Sequence, residues 1–240
     1  MDAVVMEEQL VRLLADTQQA AESTRKSAEL QLQHLYTDQG FPLALVSIAA
    51  HREIPLGIRQ AALLSLKTYI LASWSSQLEE FKGRVFVDED VKKRIRAALL
   101  EIATSDDDRK VKSAAGYCVS KIASVDFPEE WPDLFPTVLH NIQTGSDAQI
   151  HGALKVLAEL VDDSFNDAQF FGVARDLVGT VHTVAINDQR KPSLRALAVN
   201  VFRACFDILE MVMDEHKTEV KAFAEEVLRD WIPFLSLIHI

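Results

Sequence analysis

One helical pattern, stated four times, constrains this chain more than any other feature of its sequence. Ile58-Arg59, Val111-Lys112, Ile150-His151 and Leu194-Arg195 each open a stripe that continues three and four places on with small or apolar residues. Those residues are Ala61-Ala62, Ala114-Ala115, Ala153-Leu154 and Leu197-Ala198. The stripes run on through Tyr69 and Ile70, through Cys118, Ile122 and Val125, through Leu157 and Val161, and through Val201, Cys205, Leu209 and Val212. That is the spacing of one helix face. The starts lie 53, 39 and 44 residues apart, the period of repeats built from two or three helices.

Between these helices lie stripes that pack against them. Val91, Ile95, Ala98, Leu99 and Ile102 form one, and Phe127, Trp131, Leu134 and Val138 another. The chain therefore reads as all-α, an α-solenoid of HEAT-like helix pairs, each with an outer and an inner member. Eight glycines and seven prolines leave too few turn signals for an all-β chain. Asp88, Asp126 and Asp147 stand where N-caps are wanted, acids crowd a first turn at Asp106-Asp107-Asp108, and Pro128, Pro132 and Pro192 fall in or near first turns. Upstream, Glu7 to Gln18 and Thr24 to Tyr36 form a first pair, and Phe41 to Ala50 is a short outer helix. Ser75 to Val87 reads as an exposed connection.

Downstream, Asp214 to Arg229 starts another outer helix, followed by the apolar run Trp231 to Leu235. Residues 1–235 are expected to form one continuous array of about five to six repeats. An apolar final repeat lacks the polar cap that ends a soluble solenoid. The expectation is a fragment of a longer protein, with 236–240 a non-native tail.

Charge narrows the partners. A formal charge of −11 and a pI near 5.1 repel bare nucleic acid and anionic membranes, and favour a basic or mixed-charge protein partner. From Asp207 to Asp230 eight acidic residues face only Lys217, Lys221 and Arg229, a run read as a solvated helix face. Cys118 and Cys205 sit singly in apolar stripes, which fits a reducing compartment, cytosol or nucleus. The N-terminus has no signal-peptide pattern. Uncharged runs reach about thirteen residues, short of the roughly 18 that a membrane span needs.

Enzymatic motifs do not occur, and no metal or cofactor is expected. His151 shares the register of Arg59, Lys112 and Arg195 and reads as a polar rung rather than a metal ligand. Glu159, Asp162 and Asp163 lie on a helix and cannot wrap a hard cation as a loop does. Phe127 to Phe135 reads as core. The ladder of Arg59, Lys112, His151 and Arg195 has two readings, a docking line on successive inner helices or a set of joints between repeats through an acid at the preceding turn. A HEAT or armadillo scaffold, such as a trafficking adaptor or phosphatase-type scaffold without a nucleotide switch, also fits these features.

Two segments carry a family resemblance. Arg25, Ala28-Glu29 and Leu32, then Ile58-Arg59, Ala62, Leu66-Lys67, Ile70 and Trp74, resemble the N-terminal region of the importin-β (karyopherin-β) family over 25–74. Phe127-Pro128-Glu129-Glu130-Trp131-Pro132-Asp133-Leu134 resembles the aromatic-Pro-x-x-Trp-Pro-x-Leu signature of a later repeat in that family. The general look is similar to the importin nine branch. The resemblance implies a HEAT-repeat superhelix acting as a nuclear transport receptor, with no catalysis. It implies shuttling between cytoplasm and nucleus, contact with nucleoporins, and basic cargo such as histones. It also implies that inner helices contact the GTP form of Ran. By motif position the contacts are Arg25 and Glu29, then Arg59 and Lys67, then Lys112 and Lys121. Thr68 stands where the family often has Asn.

Overall fold

The computed structural model describes every residue except Met1, Asp2, Ser164, Glu215, His239 and Ile240. Among the described residues there are eleven α-helices and no strand, in two units, 1–126 and 127–240. The first unit holds α1 (Ala3–Asp16), α2 (Glu22–His34), α3 (Gly40–Ala50), α4 (Leu56–Ser73), α5 (Glu89–Ser105) and α6 (Arg109–Asp126). The second holds α7 (Leu134–Thr144), α8 (Asp147–Asp163), α9 (Asp167–Ile186), α10 (Pro192–Met211) and α11 (Lys217–Ile238).

Each unit is built from antiparallel pairs stacked side by side. In the first, α1/α2, α3/α4 and α5/α6 pair, the outer helices α1, α3 and α5 pack in series, and inner α4 packs on inner α6. In the second, α7/α8 and α9/α10 pair, α7 packs on α9, α8 on α10, and α11 on α9. The burial pattern follows from position. Helix α3 has neighbours on three sides and buries Phe41, Ala44, Leu45, Val46, Ile48 and Ala49, as a helix apolar all round must. Helix α2 packs chiefly on α1 and buries only Ala28 and Leu32. In α11, Trp231 is 1% exposed and stacks on Phe202 of α10 with centroids 3.6 Å apart. The run Trp231 to Leu235 thus continues α11, which extends through Ile238. Of the segment 236–240, His239 and Ile240 lie outside the described residues.

Three expected features are corrected. Asp126 caps no helix: it is buried at the end of α6, accepts a hydrogen bond from Trp74 Nε1 (3.0 Å) and pairs with Arg96 Nε (3.3 Å). Phe127 and Trp131 are core residues but not part of a helix face, since α7 begins only at Leu134. Each precedes a proline, and that ring disfavours the α conformation in the residue before it. Asp147 is the first residue of α8, and the cap position belongs to Ser146, whose hydroxyl accepts from the backbone N–H of Gln149 (3.4 Å). At Asp88 the cap falls as expected. Asp88 accepts from the backbone N–H of Val91. Asp108 accepts from Val111 and Lys110, N–H groups that hold its carboxyl below the usual range. At Asp147, Lys191 and then Arg190 act in the same direction. Both carboxylates therefore support the fold above the ordinary aspartate pKa, and that support fades as pH falls through their depressed values.

The connections within pairs form joints. Gln18 Nε2 donates to Gly57 O (3.4 Å), Arg52 reaches Asp107 (2.6 Å), and Asp147 receives Arg190 (3.3 Å) and Lys191 (3.2 Å). The central joint is Arg59, whose Nε donates to Ala49 O at the end of α3 (2.8 Å) while Nη2 pairs with Asp106 between α5 and α6. Arg195 repeats the first half of this geometry, donating to Ala185 O ten residues earlier (2.8 Å). Arg25 instead donates to Gln19 O and Ala20 O in the loop that follows α1.

Removing one partner of a buried pair strands the other charge. Arg59→Ala is therefore expected to lower unfolding free energy by about 3–5 kcal/mol. Arg52→Ala, at a pair largely in water, is expected to cost below about 1 kcal/mol. Urea unfolding of the two variants, followed by circular dichroism, checks the contrast.

Candidate protein-docking surface

The inner helices of the first unit share one register. Arg25, Arg59 and Lys112 are each followed three places on by a buried alanine, Ala28, Ala62 or Ala115, and seven places on by Leu32, Leu66 or Val119, also buried. The alanines allow close helix approach and the larger residues fill the space behind. Cys118 Sγ lies 4.0 Å from Leu63 O, which sets α4 and α6 level at this point.

That levelling creates a cluster. Lys67 of α4 places its Nζ 4.0 Å from the ring centroid of Tyr117 on α6, and Lys121 approaches the same ring at 5.4 Å. Two ammonium groups near one aromatic ring form a cation–π arrangement, and it gathers both cations where α4 and α6 meet. Tyr117 is half-buried. Thr68, exposed beside Lys67, donates back to Leu64 O (3.1 Å), so its hydroxyl serves the helix.

The sequence-expected residues divide. Lys67 and Lys121 come together. Lys112 is half-buried on the same helix as Lys121, about 13 Å further along the axis. Glu29 is exposed on α2, and Arg25 is half-buried with one nitrogen committed to the α1–α2 corner. Arg59 is corrected: at 6% exposure, held by Ala49 O and Asp106, it is a joint and not a contact. His151 and Arg195, the other rungs of the ladder, are half-buried in the second unit. Tyr117 was missed. Its signal was available in register, because it stands five places after Lys112 as Leu64 stands five after Arg59.

Charge separates the units. Residues 127–240 carry 18 acidic against 9 basic side chains, whereas 1–126 carry 18 against 16. The acid surplus belongs to the second unit, and the lysine cluster lies in the near-neutral first. Neither cysteine is a nucleophile. Burial pushes the Cys118 and Cys205 thiols up to about 12, which leaves the reactive thiolate scarce.

A stacked helix-pair array whose polar groups serve as joints, with cations gathered on an inner face, defines a protein-binding solenoid. Comparison with known proteins gives its kind. Residues 28–105 match the importin-beta N-terminal domain and 108–240 match the exportin 1-like protein family. Importin subunit beta-5 of Schizosaccharomyces pombe is 34% identical over 97% of this chain and 24% of its own length. Importin-9 of Drosophila melanogaster is 22% identical over 96% of this chain and 22% of its own. Kap95p has a similar fold at 18% identity over 93% of this chain. Its complex with Nup1 gives a TM-score of 0.73 over 27% of that chain, and its complex with RanGDP 0.69 over 26%. The chain belongs to the importin-β family of nuclear transport receptors, and it spans about a quarter of the length of the relatives it matches.

Buried, un-ionised thiols make a direct prediction. Iodoacetamide at pH 8 should leave Cys118 and Cys205 unmodified in the native chain and alkylate both in urea, as read by mass spectrometry.

Proposed function

We propose that the first unit of this chain docks the GTP form of Ran, and that the chain serves a receptor carrying basic cargo into the nucleus. The observation that carries this reading is the convergence of Lys67 and Lys121 on Tyr117, two family-matched cations gathered on one inner face. Lys112 on α6, with Glu29 and Arg25 on α2, are the other family-matched positions of the first unit. Kap95p, a receptor of the same fold, is known in complex with RanGDP, whose switch loops then adopt the GTP-bound conformation, and this supports Ran as the occupant.

The chemistry requires no catalytic residue. A receptor reads a nucleotide state through its difference in affinity for two switch conformations, and a ligand shifts an equilibrium by that difference alone. Half-buried lysines such as Lys67 and Lys121 suit this task because charges beside an interface contribute to association rate and selectivity even where each adds modest affinity. In a receptor of nearest-neighbour repeats, binding of Ran at one place alters cargo fit at another. The acid surplus of the second unit favours basic cargo such as histones. Contact with nucleoporins, supported by the Kap95p complex with Nup1, accompanies shuttling between cytoplasm and nucleus.

Ran loaded with a non-hydrolysable GTP analogue should bind this chain more tightly than Ran-GDP. The double variant Lys67→Ala/Lys121→Ala should weaken the GTP-form complex about tenfold at low salt and less at high salt, as screening of exposed charges requires. Fluorescence anisotropy with labelled Ran measures both. Equal affinity for the two nucleotide forms would refute the proposal.

A further inference from the structure

Each of the three inner helices of the first unit carries a large side chain turned to the outside at one and the same register. Five places after Arg25 stands Leu30, 58% exposed; five after Arg59 stands Leu64, 60% exposed; five after Lys112 stands Tyr117, half-exposed between two lysines. A single exposed leucine is ordinary on a protein surface. Recurrence at one position on three successive helices is not scatter. The row also stops with the unit. The matching positions on α8 and α10 hold Val156, buried at 2%, and Asn200, exposed and polar.

We infer that Leu30, Leu64 and Tyr117 form the apolar anchor of the Ran-docking surface, a selectivity element distinct from the lysines beside them. This rests on the reading of the first unit as a Ran-binding face. Binding energy at protein interfaces concentrates in a few apolar or aromatic side chains that become fully desolvated, while rim charges steer the encounter. The row supplies the first kind of group and Lys67 and Lys121 the second. Charge along the row also selects its occupant. Cations flank Tyr117 and Leu64 at one end, and at the other the same-face neighbour of Leu30 is Lys26, one turn earlier on α2 and paired with Glu22. The complementary GTPase segment presents an apolar side chain with carboxylates on the α4–α6 side.

Salt separates the two contributions, because screening weakens exposed charge pairs and leaves burial of apolar surface intact. Leu64→Ser and Leu30→Ser, introduced separately into the full chain, should each weaken binding of GTP-analogue Ran at least about tenfold, as loss of an anchor does. That loss should persist from about 0.05 to about 0.5 M salt, whereas the loss in Lys67→Ala shrinks across the same range. Both leucines lie in solvent, so thermal unfolding should stay at the wild-type value. Met211→Ser, removing an apolar side chain 77% exposed on α10, should bind as wild type does. Wild-type affinity in both leucine variants, with Lys67→Ala still impaired, would overturn the anchor and leave the Ran reading standing. A wild-type chain that binds neither nucleotide form would remove that reading and the anchor together.

Discussion

The fold rests on a joint: an inner-helix arginine that reaches back to the carbonyl end of its own outer helix. An antiparallel helix pair leaves the last carbonyls of the first helix without intrahelical donors, and in a stacked array that end lies against a neighbouring repeat. Arg59 satisfies Ala49 O and in the same side chain pairs with Asp106 of the next repeat, with both charges almost fully buried. One residue thereby closes a helix end and fixes the spacing between pairs. Arg195 uses the first half of that device, and Arg25 ties down the loop that follows α1. A buried pair adds little net stability over an apolar substitute, but it tolerates only one arrangement of its partners, and alignment is what a repeat array needs.

This joint determines which cations remain for recognition. The arginines that open the inner helices are consumed at the corners, so the docking face is built from residues further along the same helices. Lys67 lies eight places beyond Arg59, and there α4 and α6 are close enough for its ammonium to cross to Tyr117. The second unit shows the other use of charge. Its excess of carboxylates is spread over α8, α9, α10 and α11, with Arg203–Asp207 and Arg175–Glu226 as exposed pairs. Such pairs contribute little to stability individually, yet their surplus sets a long-range negative field. A near-neutral first unit with a local cationic face and an acidic second unit thus favour different partners.

The aromatic stretch after α6 shows how local chemistry and packing share the outcome. Pro128 and Pro132 keep Phe127 and Trp131 out of the helix, and the core nevertheless takes both side chains. Phe127 meets Phe135 and Phe165 with centroids 6.5 and 5.6 Å apart, and its carbonyl accepts from Gln169. The core takes these side chains whether or not their backbone is helical, so the residues were legible as core while their backbone was not.

Hydrophobic periodicity by itself determined the helix pairs, their approximate boundaries, the buried cysteines and the inner stripe opened by Arg59 and Lys112. These follow from spacing within one helix, which is a property of consecutive residues. Only the tertiary structure decided what each polar group on those helices meets. Arg59 was legible as an inner-helix cation, but its commitment to Asp106 depends on a residue 47 positions away. Asp126 had the look of a cap until Trp74, 52 positions earlier, supplied its partner. Lys67 and Lys121 were on the page as separate cations, and their meeting at Tyr117 exists because α4 and α6 lie side by side at one level. A period of 3.6 residues specifies the face that leaves water, and the choice of neighbour for each charge on that face is made by contacts that no local pattern records.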